Sequence, residues 1–95
     1  MKHYVEAVTL MPVITLRALK KLIPDCPIDE DELIINISFG EGVEEGSYLN
    51  LDAKTLEARI GYAYCPENEA TACKWLAKAI RQTGVADDET ILVWV

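Results

Sequence analysis

Two periodicities divide this chain. Residues 4 to 11 read as a strand, and Pro12 either ends it or opens the following helix. Leu16, Leu19, Leu22 and Ile23 then recur at helical spacing, with Arg17, Lys20 and Lys21 on the opposite side. Thr15 is placed to cap that helix and Pro24 to stop it. A connector follows, acidic and stiffened by Pro24 and Pro27. Residues 33 to 39 alternate, with Leu33, Ile35, Ile37 and Phe39 on one face and Asn36 and Ser38 on the other, which predicts a strand. Gly40, Gly42 and Gly46 make a hairpin loop into a strand over residues 47 to 51, where Leu49 and Leu51 supply the inward side.

After a turn at Asp52 to Thr55, residues 57 to 64 alternate again, so that Ala58, Ile60, Tyr62 and Tyr64 share the core face. Residues 67 to 83 form the longest predicted helix: Pro66 precedes it, Glu67 and Glu69 suit its start, Lys78 and Arg81 suit its end, and Gly84 closes it as a left-handed cap. Its buried stripe is Ala70, Cys73, Leu76, Ala77 and Ile80. The last six residues, Thr90 to Val95, carry no charge and would aggregate on an open edge, so they belong inside the sheet. The order β-α-β-β-β-α-β implies an α+β two-layer sandwich, a mixed, mostly antiparallel sheet with two helices on one face, of the ferredoxin-like or split β-α-β kind.

Length and composition fit one domain: 95 residues, 51% hydrophobic and 26% charged. The net charge of -7 disfavours non-specific attraction to nucleic acid or anionic lipid. No apolar run approaches the roughly 18 residues a membrane span needs. Glu6 interrupts the apolar start, and no small-residue cleavage site follows it. With three cysteines, an odd number, these features predict a cytoplasmic protein without a disulfide framework.

Catalytic signatures are lacking. His3 is the single imidazole, Cys26, Cys65 and Cys73 lack the close pairing of zinc sites, and the run Asp29, Glu30, Asp31, Glu32 lacks the ligand spacing of a calcium loop. The glycine-rich run from Gly40 to Gly46 carries three glutamates that would repel phosphate. No enzyme activity, cofactor or metal is therefore expected.

Charge placement is the informative feature. Six of nine Lys and Arg fall in the two helical segments, whereas the acids gather as Asp29, Glu30, Asp31 and Glu32, as Glu41, Glu44 and Glu45, and as Asp87, Asp88 and Glu89. Two faces of opposite sign suit binding better than catalysis. The acidic clusters predict docking on the basic surface of a larger protein or complex. In general character only, small acidic chains of this kind resemble phage-encoded anti-defence inhibitors that mimic nucleic acid. Trp75, opposite the buried stripe and flanked in the arc by Ala72 and Ala79, predicts a second interface, most simply a homodimer through the second helix.

A different partner follows from a local resemblance. Asp52-Ala-Lys-Thr55, then Arg59-Ile-Gly61-Tyr62-Ala63-Tyr64, a helix and a last strand, resemble the third-strand motif and downstream half of an RNA recognition motif, over roughly the last 45 residues. That resemblance implies a nucleic-acid-binding module in which Tyr62 and Tyr64 stack on bases. The alternation instead puts both rings in the core, where truncation would cost about 3 to 5 kcal/mol.

Overall fold

Local signals fix most of the elements, and two of them run against the alternation. The computed structural model describes residues 12–37, 46–62 and 64–95. It is α+β, with a three-stranded mixed sheet and four helices among those residues. In chain order they are β1 (Val13–Thr15), α1 (Leu16–Lys21), α2 (Glu30–Ile37), β2 (Tyr48–Leu51), α3 (Ala53–Ile60), α4 (Glu67–Gln82) and β3 (Ile91–Trp94). The strand expected at residues 4 to 11, the end of the one expected at 33 to 39, and the loop acids Glu41, Glu44 and Glu45 lie outside the described residues.

Several capping signals hold. The Thr15 hydroxyl accepts from Ala18 N at 3.0 Å and starts α1 directly from β1. Pro66 precedes α4, its carbonyl accepting from Ala70 N at 2.9 Å. Past the end of α4, Gly84 adopts φ 91°, a left-handed conformation that glycine takes without steric cost.

Two predicted strands are helices. Over residues 33–37 the alternation of Leu33, Ile35 and Ile37 yields to α2, whose first turn carries Glu30, Asp31 and Glu32 beside the positive end of the helix dipole. Leu33 is buried while Ile35 is 69% exposed, as a period of 3.6 requires and a period of 2 forbids. Over residues 57–60, α3 replaces the strand. Asp52 caps it, accepting from Thr55 N at 2.7 Å and from the Thr55 hydroxyl at 2.9 Å. Ala53 and Leu56 are its buried residues, and Ile60 packs on the same core.

The sheet order is β1-β3-β2, so β3 is central, parallel to β1 and antiparallel to β2. The uncharged C-terminal strand is thus paired on both edges, as its composition demands. Ile14, Val93 and Leu49 align across the sheet and face the core with Ile91 and Leu51. Among the described residues of the predicted meander, 47–62 supply one strand and one helix.

Helix α4 is the hub. It contributes Ala72, Cys73, Leu76, Ala77, Ala79 and Ile80 to the core, and α1, α2 and α3 all pack against it. The wide apolar arc read from the sequence is covered by these neighbours, with Ala72 and Ala79 fully enclosed. Trp75 is half-buried and meets Lys20, Ile23, Cys26 and Leu33, while Lys78 Nζ lies 5.0 Å from its ring centroid.

Candidate functional site

Charges separated along the sequence meet again in space. The chain has three arginines, and each pairs with an acid of its own fold. Arg17 Nε lies 3.7 Å from Glu30, and Arg59 Nε lies 3.6 Å from Glu69. Arg81 grips Asp87 through two bonds of 2.9 and 3.1 Å and also donates to Glu57. The two faces of opposite sign expected from the sequence are broken at these points.

The Arg81 hydrogen bonds hold the Glu57 and Asp87 carboxyls below their ordinary values and raise the guanidinium. Because those carboxyl values are depressed on folding, the stabilisation is complete above 4.5 and 3.8, the ordinary values, and is lost as pH falls through the lower folded ones. Arg81→Met should therefore flatten the acid side of a plot of Tm against pH. An unchanged profile would mean that these exposed pairs contribute nothing.

The two described acidic clusters occupy different ends of the sheet. Asp29, Glu30, Asp31 and Glu32 start α2, beside the C-terminal end of β3, where Glu30 and Asp31 share a cavity with Trp94. Asp87, Asp88 and Glu89 precede β3 at its other end, where the Asp87 carbonyl accepts from Lys54 N at 2.9 Å and Asp88 faces Lys54 and Thr55 across a second cavity. Asp87 is committed to Arg81, so among the described residues Asp88 and Glu89 are the carboxylates there without an ion pair.

At the start of α2 the balance is more negative. The helix end supplies about half a positive charge. One arginine adds a contact at 3.7 Å from an exposed side chain. Against four carboxylates, about two and a half negative charges stay uncompensated among the described residues.

Between this turn and the sheet lies a cavity of about 420 Å³. Thr15 and Arg17 of the β1–α1 junction form one side, Glu30, Asp31 and Ile34 of α2 the second, and Trp94 the third. Trp94 also belongs to the outer face of the sheet, where alternation places Val13, Thr15, Tyr48, Asn50 and Leu92. Val13 is 57% exposed, Tyr48 55% and Trp94 46%, and the Tyr48 and Trp94 rings stack at 5.9 Å. No residue of that face is charged. Nothing in the local pattern around Trp94 points beyond a strand, and the cavity joins residues too far apart along the chain for spacing to reveal.

Tyr62 and Tyr64 stand where neither sequence reading put them. They are 67% and 96% exposed, beyond the end of α3. They are not core residues, and without a strand beneath them they form no stacking platform of the RNA recognition motif kind. Tyr62→Ala and Tyr64→Ala should each change unfolding stability by less than about 0.5 kcal/mol, the usual scale for surface sites. A loss of several kcal/mol in chemical denaturation would contradict their exposure.

Two thiols, Cys65 and Cys73, are held in the protonated form. Burial pushes the Cys73 thiol up to about 11. Cys65 is also raised, first by desolvation and then by its hydrogen bond to Glu69 at 3.4 Å. Neither is a thiolate nucleophile at neutral pH. Among the described residues no three His, Cys, Asp or Glu side chains are grouped to hold a metal ion, and no helix is long and apolar enough to cross a membrane. No protein-family model, curated protein or solved structure matches this chain.

Proposed function

We propose that this chain is a non-catalytic, cytoplasmic interaction protein whose acidic surface docks on a basic surface of a larger protein or complex. The observation that supports the reading most is the charge balance at the start of α2, where Asp29, Glu30, Asp31 and Glu32 outweigh the helix dipole and the single contact from Arg17. The arginines add to it: all three are engaged by carboxylates of the chain itself, so the groups best suited to grip phosphate are already occupied. The second end of the sheet contributes Asp88 and Glu89.

In mechanism, exposed carboxylates would meet lysines and arginines that otherwise hold phosphates, steering association and setting register. Inhibition by mimicry of nucleic acid is one use of such a surface. The alternative, a nucleic-acid-binding module, would have to use the basic stripes of the helices, since α3 stands in place of the tyrosine strand over residues 57–60. Capture from a native lysate at low salt, followed by titration of the isolated partner across a salt series, tests the reading. Affinity should fall steeply with ionic strength. A salt-independent affinity would overturn it.

A further inference from the structure

We propose that the cavity beside Trp94 is a receptor for an arginine side chain of a protein partner, held between the Trp94 indole and the carboxylates of Glu30 and Asp31. The inference rests on the acidic-docking reading and names the group recognised. A volume of about 420 Å³ lies within the roughly 300 to 1,000 Å³ range of pockets that take small ligands. Its walls are of two kinds: Trp94 and Ile34 offer apolar surface, and Glu30 and Asp31 offer negative charge.

That combination selects the occupant. A purely apolar group would desolvate two carboxylates without replacing their hydrogen bonds. A phosphate would face both carboxylates with only Arg17, which leans on Glu30, and the half charge of the α2 start in its favour. A guanidinium satisfies both walls, because its flat face stacks on an indole while its edge donates two parallel hydrogen bonds to a carboxylate. The chain already places a guanidinium here, since Arg17 Nε sits 3.7 Å from Glu30 on a side chain that is mostly exposed. Asp31 has no ion-pair partner among the described residues and is the carboxylate left for an incoming arginine.

The test is an NMR titration of the whole protein with the blocked tripeptide acetyl-glycyl-arginyl-glycine amide at low ionic strength, with lysyl and citrullyl versions as controls. The arginyl peptide should shift the Trp94 indole N–H and the amides that open α1 and α2. Asp31→Asn should weaken binding by about tenfold, the scale of one charge-assisted hydrogen bond. Arg17→Gln, which removes the resident cation, should strengthen it. Both positions are exposed, so neither change threatens the fold.

Equal binding of the lysyl or citrullyl peptide would overturn the assignment to arginine. Binding spread over Asp88 and Glu89 and indifferent to Asp31→Asn would overturn the cavity while leaving the acidic-docking reading in place. Absence of any shift would also overturn the cavity, and the docking reading would then be decided by the salt series on the isolated partner.

Discussion

Val93→Asp should abolish the cooperative unfolding transition, or lower Tm by at least about 20 °C, whereas Val13→Asp should leave it within a few degrees. Val93 is fully buried at the middle of the central strand, paired with Ile14 on one side and Leu49 on the other. An aspartate there would be a carboxylate with no partner in the core, at a cost of several kcal/mol. A domain of this size is held by only roughly 5 to 15 kcal/mol in all. Val13 lies on the same sheet but points outward and is 57% exposed, so its replacement meets water. Thermal denaturation followed by circular dichroism separates the two cases. A stable Val93→Asp protein would refute the central position of β3, and an unfolded Val13→Asp protein would refute the openness of the outer face.

That contrast bears on what could be read in advance. The C-terminal strand was legible because six uncharged residues must be paired, and α4 because its apolar stripe, acidic start and glycine stop agree. The two errors share a cause. In Leu33-Ile-Ile-Asn-Ile and in Ala58, Ile60, Tyr62, Tyr64, an alternation of apolar residues was allowed to outweigh helix-start signals standing just upstream. Those signals are three acids in the first turn of α2, and Asp52 capping α3 with Thr55 in its first turn. At 69% exposure Ile35 was the misleading residue in the first stretch, and the exposed tyrosines misled in the second.

The acidic clusters were visible by composition, but their disposition was not. Only the fold shows Asp87 tied to Arg81, the other two acids of that cluster at the far end of β3, and Glu30 and Asp31 facing Trp94. Trp75 is half-buried, and spacing alone does not show that it shares a small cavity with residues of α1, α2 and the segment joining them.

The second large effect concerns binding. The start of α2 carries the greatest uncompensated charge among the described residues, so a partner with a basic surface should gain most of its attraction there. The measurement is the affinity of the isolated partner for the variant in which Asp29, Glu30, Asp31 and Glu32 are all lysine. A parallel variant with Asp29→Asn, Glu30→Gln, Asp31→Asn and Glu32→Gln guards against loss of α2, since four lysines would also oppose the helix dipole. With circular dichroism showing the fold retained, reversal should weaken binding by at least about 100-fold, or about 2.7 kcal/mol, and neutralisation by a smaller factor in the same direction. Unchanged affinity in both folded variants would contradict the proposal that this acidic surface is what the partner binds.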